Sequence, residues 1–313
     1  MRWAVAMRTK RPSARAFKKA FDSGRIVRIH LLRGTWQLIA AEDYWWMLEL
    51  CAEKGIGVTK GWMSANKISI SDEELMSVRA VLCEIVHGLR SATKEEIVRG
   101  LAEHGIVMDD HRLSYHIRMA EFHGVLCSGD LLPMKPSWSL TAEKIGPRPE
   151  GFDRDASLAL LARKYFQSHQ PASLEDFVWW SGLSLGDCRR GIELLGDEIR
   201  SVRWRGYEFF VLDGCRVRGC KSGCHLLLPS YDEYLIGYKS RELALCEVHR
   251  ARAHSQNGIF FPVVLHDGAV CGNWSPFGKA VGVEFFDGSD GSAAGPGADL
   301  SPLVDQYQRF LKR

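Results

Sequence analysis

Long apolar runs are missing from this chain: no stretch approaches the ~20 consecutive residues that a membrane-spanning helix requires. The opening Met1-Arg-Trp-Ala-Val-Ala-Met7 is short and soon followed by Arg8, Lys10 and Arg11, which does not fit a secretory leader. No GxGxxG, P-loop, HExxH or GxSxG occurs in a fitting context, so cofactor-dependent chemistry is not expected. An excess of one sign of charge is missing as well, since 41 Lys and Arg nearly balance 38 Asp and Glu. A net charge of +3 means that any nucleic-acid footprint must come from local clustering. CxxC pairs are absent, and most of the nine cysteines stand singly in apolar surroundings, as buried reduced thiols do. Cys215, Cys220 and Cys224 beside His225 are the exception, but their spacing fits no zinc pattern closely, and a linker that contains cysteines is the simpler reading. A cytoplasmic protein without metal or cofactor is expected.

At 313 residues the chain exceeds the ~250–300 at which single cores stop growing, so several small cores are expected. Residues 1–24 read as the end of one helix and the whole of a second, closed by Gly24. Ile26 to Leu32 and Trp36 to Ala40 then read as a β-hairpin turning at Arg33-Gly34-Thr35. Arg25, Arg28, His30 and Arg33 crowd this ribbon, with Trp36 and Gln37 just past the turn, a mixture able to meet phosphates and bases. The plain alternative is a ribbon with solvated arginines. Ala41-Glu-Asp43 opens a helix through Cys51, whose Trp45 and Trp46 suit a core, and the glycines at 55, 57 and 61 make residues 54–70 read as a loop.

From Ser71 the helix signals sharpen. Ser71-Asp-Glu-Glu74 and Thr93-Lys-Glu-Glu96 are capping boxes, and a third helix spans about Asp110 to His123 before a hairpin through Val125–Ser128 and Trp138–Leu140. Helix, helix, helix, hairpin is the layout of a winged helix, whose third helix would enter the major groove. That helix should present His111, Arg112, Ser114, Tyr115 and Arg118 to DNA. After the Gly146-Pro-Arg-Pro-Glu-Gly151 linker the plan recurs: an amphipathic helix from Ala156, caps at Ser173 and Ser184, and a hairpin turning at Arg205-Gly206. The last ninety residues change to short strand candidates, including Tyr231 to Tyr238 and Gly258 to Leu265, with a turn at His266-Asp267-Gly268. A loop from Asp287 to Gly297 and a closing helix from Val304 to Leu311 follow.

The expected fold class is therefore α+β. Three tandem winged helix-turn-helix modules, the first truncated, precede a small C-terminal antiparallel β-barrel. The boundaries are 1–70 for the first module with a connecting helix, 71–146 for the second, 152–222 for the third and 223–313 for the barrel. Linked modules of this kind favour a polymeric ligand, and duplex DNA is the expected partner of a monomer. The expected DNA-binding residues are Arg25, Arg28, His30, Arg33, Trp36, Gln37, Arg112, Tyr115 and Arg118. A lone histidine such as His30 or His116 is more often packed than functional. Asp232 and Glu233, read as strand neighbours, would point to opposite faces and so serve structure, with Lys239 or Arg241 as partner.

Gly24-Arg-Ile-Val-Arg28, Leu32-Arg-Gly-Thr-Trp36 and Ala41-Glu-Asp43 are followed in order by Phe177-Val-Trp-Trp-Ser-Gly-Leu183, Leu228-Pro-Ser-Tyr-Asp-Glu-Tyr-Leu-Ile-Gly-Tyr-Lys239 and Asn257-Gly-Ile-Phe260. Together they resemble the winged-helix DNA-binding domain-containing family of the bacterial AlkZ- and YcaQ-type DNA glycosylases, over essentially the whole chain. The resemblance implies tandem winged helices with a C-terminal β-barrel on duplex DNA, and in the glycosylases excision of alkylated or cross-linked purines. Catalytic members carry Gln-apolar-Gln or Gln-apolar-Asp shortly before the segment that corresponds to Trp3-Ala-Val-Ala-Met7, a point upstream of Met1 here. Gln37-Leu-Ile39 offers no second polar group to place an attacking water, and the family often has His at the position of Gln37. No catalytic residue is assigned. The rival expectation is a non-catalytic regulator or scaffold that binds DNA or a protein.

Overall fold

The computed structural model describes residues 2–215, 222–275, 281–286 and 299–312. Two compact units divide the chain. One comprises Lys18–Leu161 with Ser181–Leu194, and is called here the hairpin unit. The other comprises Met1–Phe17, Ala162–Trp180 and Leu195–Arg313, and is called the sheet unit.

In the hairpin unit, three helices and a small sheet surround one apolar core. Ser71 caps the helix Asp72–Leu89 by accepting from the Glu74 amide. Thr93 and Glu96 form a reciprocal capping box on Lys94–Glu103. Asp109 accepts from the amides of His111 and Arg112 to start Asp110–Phe122. Such caps satisfy amides that the first turn leaves without partners. Leu82, Ile97, Leu101, Leu113 and Ile117 meet Trp138 in the core, and the antiparallel sheet runs Ala92–Thr93, Ser137–Leu140, Leu126–Ser128. Its last strand lies beside the hairpin: the Arg28 amide donates to Ser128 Oγ at 2.9 Å.

The expected loop at residues 54–70 is overturned. A single helix spans Tyr44–Ala65. Its buried side carries Tyr44, Leu48, Cys51, Gly55, Thr59 and Met63, close to every fourth residue. A β-carbon at Gly55 would overlap the Phe122 ring, so this glycine lets two helices touch and does not break one. Gly57 and Gly61 face open space.

In the sheet unit, four antiparallel strands lie in the order Gly282–Phe285, Ala269–Ser275, Val263–His266, His225–Leu228. Val264, Cys271 and Leu227 face a core with Trp3, Trp274, Tyr307 and Phe310, while Val263, Leu265 and Val270 face another with Leu235, Leu245 and Phe260. The expected barrel is not found: among the described residues the outer strands do not pair with each other, and the sheet stays open. The physical reason is that helices and loops cover both faces, which removes the need for closure. The helix Ser301–Lys312, expected from Val304 to Leu311, supplies one cover. The loop expected at Asp287 to Gly297 lies outside the described residues.

Elsewhere in this unit, Ser173 and Asp176 exchange hydrogen bonds of 3.0 and 3.1 Å at the expected cap. Tyr165, Phe166, Phe177 and Phe210 form an aromatic cluster. Ile199–Trp204 pairs with Tyr207–Leu212 across Arg205 and Gly206, both at positive φ as a tight hairpin requires. The strand expected at Tyr231 to Tyr238 is instead a cap and a short helix, Glu233–Ile236, because the Asp232 carboxylate accepts from the Tyr234 amide at 3.0 Å.

Candidate nucleic-acid interface

Ile26–His30 pairs with Trp36–Ala40 in the expected hairpin, with His30 opposite Trp36 and Arg28 opposite Leu38. Val27 and Ile29 are fully buried, so strand alternation directs Arg28 and His30 to the other face. The turn needs left-handed backbone at two consecutive residues, Arg33 (φ 58°) and Gly34 (φ 68°). Glycine takes that conformation without strain; arginine does so at a cost.

On that face the Arg28 guanidinium lies 4.2 Å from the centre of the Trp36 ring. Trp36 itself is 40% exposed. This is a cation–π pair, and it holds an aromatic plane and a positive charge together at the edge of the ribbon. Burial pulls the Arg28 pKa below its ordinary value, opposed by the negative charge of Glu121. Trp36 Nε1 also lies 3.0 Å from His30 Nδ1, and the same nitrogen meets the carboxylate of Glu121. One nitrogen can donate to the carboxylate or accept from the indole, not both, so the position of a single proton selects the partner. Glu121, only 2% exposed, accepts in addition from Trp138 Nε1 at 2.9 Å. Gln37 donates to Thr35 Oγ1 at 2.8 Å, and Arg25 is exposed.

Trp36 thus shares the face of Arg28 and His30, with His30 largely buried against Glu121, while Gln37, paired with Ile29, lies on the other face; Asp110–Phe122 does not present the expected row of donors. Tyr115 is buried, its ring 4.4 Å from that of Trp62. Arg112 is held by Glu74, with Nε to Oε1 at 2.8 Å and Nη2 on the other oxygen, and His116 Nε2 sits 3.0 Å from Oε1. This contact keeps the Glu74 pKa below the usual carboxylate range. The long helix, which covers this face where a loop was expected, accounts for Tyr115, and the first turn of Asp72–Leu89, which carries Glu74, accounts for Arg112. Of the predicted residues on Asp110–Phe122, His111 and Ser114 stay exposed, and Arg118 is half-buried 5.9 Å from the Trp62 ring. Sequence reasoning missed Trp62, 41% exposed, because it falls in the glycine-containing stretch read as a loop, and Glu121, because nothing local marks a buried carboxylate.

Beneath the hairpin turn lies an apolar cavity of about 240 Å³, lined by Leu31, Leu32, Cys51, Val58 and Leu183 among others. Burial pushes the Cys51 thiol up to about 12, so it is no nucleophile at neutral pH. Among the described residues, no three of His, Cys, Asp or Glu come together as metal ligands. Cys220 lies outside them, while Cys224 is exposed and its amide donates to Asp267. No helix of the described residues is long and apolar enough to cross a membrane.

In the sheet unit, Asp232 takes a bidentate bond from Arg8, at 2.9 and 2.7 Å, in place of the expected Lys239 or Arg241. That contact raises the Arg8 pKa. Asp232 is therefore a structural anchor.

The chain is 25% identical over 287 residues to an interstrand DNA cross-link repair glycosylase of Streptomyces sahachiroi, covering 86% of this chain and 76% of that protein. Its fold is similar to the solved structure of Streptomyces sahachiroi DNA glycosylase AlkZ, with a TM-score of 0.77 at 22% identity over 99% of this chain and 85% of that one. A sequence model for the family described as DNA glycosylase AlkZ-like matches residues 1–285. With a match of that extent, the chain belongs to the AlkZ-like DNA glycosylase family.

Proposed function

We propose that this protein acts on duplex DNA as a repair glycosylase, releasing alkylated or cross-linked purines, and that the Ile26–Ala40 hairpin is a surface it lays on the duplex. The observation that carries the reading is the exposed Trp36 stacked with Arg28, in a chain of this family. Cations at the ribbon edge would neutralise phosphates, and the indole would fill the gap left when a damaged base leaves the stack. The same reading takes residues 71–146 and 152–222 as winged helices and 1–70 as part of a further one. It is supported by the helix order and the wing-like hairpins at Leu126–Leu140 and Ile199–Leu212.

A second reading, a DNA-binding regulator or scaffold that releases no base, is favoured by Gln37. Its amide is directed to Thr35 and its neighbours Leu38 and Ile39 are apolar, so it does not form a water-placing pair. The test measures free base from alkylated duplex DNA beside binding across a salt series. Base release with salt-sensitive binding supports the glycosylase. Salt-sensitive binding without release favours the second reading, and no duplex binding at low salt overturns both.

A further inference from the structure

Arg241, Gly258 and Phe260 have no part in the hairpin surface, yet in the sheet unit they help wall one cavity of about 500 Å³. Two aromatic rings and two arginines define it. Trp179 is fixed by its indole N–H, which donates to the Ile236 carbonyl at 3.0 Å, and the ring remains 41% exposed. Arg241 is clamped to the carbonyls of Leu235 at 2.7 Å and Lys239 at 3.3 Å. In that position its guanidinium lies 5.4 Å from the Trp179 ring centre and 5.0 Å from that of Phe260. On the rim, Arg250 meets Glu247 at 3.2 Å, an exposed pair of the kind that contributes little and exchanges readily. His254 stacks on Phe260 at 5.1 Å, and burial, opposed by a hydrogen bond to the Ser255 carbonyl, lowers its pKa. Two guanidinium groups and one carboxylate thus stand in the lining.

We propose that this cavity receives one unpaired deoxynucleotide of a DNA strand, its base against the Trp179 ring and its phosphate among the arginines. A fixed aromatic plane next to cations is the arrangement by which unpaired strands are held without sequence preference. A paired base keeps its faces inside the duplex stack and cannot reach such a plane. An acidic peptide would answer the charge and leave the aromatic plane without purpose. The inference rests on DNA as the ligand but not on base release.

The experiment uses the full chain and an oligothymidylate bearing one iodinated deoxyuridine, irradiated and mapped by mass spectrometry, with calorimetry of deoxythymidine monophosphate alongside. A photoadduct on Trp179 or Phe260 is expected, suppressed by the mononucleotide but not by inorganic phosphate or polyglutamate. Mononucleotide affinity should fall about tenfold in Trp179→Ala, the size of one base–aromatic contact, and also fall in the surface variant Arg250→Gln, which spares the fold. The proposal is overturned by adducts only elsewhere, by equal displacement with phosphate or polyglutamate, by binding of the mononucleotide without the oligonucleotide, or by variants that bind as the parent does. Base release that persists without this adduct sinks the cavity alone. A failed release assay with the adduct present sinks only the glycosylase.

Discussion

Glu121 is a carboxylate in a place where carboxylates are costly, and three neighbours show how it is tolerated: the Trp138 indole, His30, and the partly desolvated charge of Arg28. Removing it leaves a buried indole N–H without an acceptor, so Glu121→Ala should cost about 1–3 kcal/mol in urea unfolding, and Glu121→Gln, which keeps an acceptor, clearly less. A second carboxylate makes a pH prediction. Glu74 has its pKa lowered, first by the hydrogen bond from Arg112, so its contribution to stability is fully present above the unfolded value of about 4.3. That contribution is lost as pH falls from there through the lowered folded value. Carbon-detected NMR titration should place the Glu74 midpoint below the ordinary range and return it toward normal in Arg112→Ala; an unchanged midpoint would remove the ion pair from the explanation. Neither pairing was legible in the sequence. Glu74 and Arg112 stand 38 positions apart, and Trp138 and Glu121 stand 17 apart, so no local pattern joins them.

Caps were the most legible elements. Ser71, Thr93, Ser173 and Ser184 each sit where a helix begins, because a side chain that accepts from amides two or three residues on acts through purely local geometry. Glycines misled for the opposite reason: their meaning depends on what lies across from them. Substitution separates the cases. Gly55→Ala should destabilise by about 1–3 kcal/mol, since Phe122 must move. In the same helix Gly61→Ala meets nothing within 4 Å and should stabilise by about 0.5–1 kcal/mol. Thermal unfolding of the two variants checks both signs, and a matching sign would contradict the assigned packing. The hairpin itself was legible as an element, including its turn, because Val27 and Ile29 alternate with Arg28 and His30.

For the whole molecule, a chain with net charge of only +3 would hold DNA through local clusters of cations, under the proposed function. If Arg25 and Arg28 are among them, the double variant to glutamine should flatten the slope of log affinity against log salt by about two, close to one for each phosphate no longer neutralised. An unchanged slope would take this hairpin off the duplex. The α+β character and the several small cores were legible from length and hydrophobic periodicity. The open sheet was not, because strand-like segments do not say whether the outer two will meet or be covered.

The strand Val263–His266 has a property that follows from being covered on both sides. A slipped strand is ordinarily rejected because its apolar residues would be turned to water. Here a slip by one would move Val263 and Leu265 from one dry core into the other, exchanging apolar surroundings for apolar surroundings. Hydrophobicity therefore cannot set this alignment, and local markers must. Two are in place: the irregular step between Val270 and Gly272, and the Asp267 carboxylate, which accepts from the amides of Gly223 and Cys224 at 3.0 and 2.8 Å. The turn at one end, more than the core, tells this sheet where to begin counting.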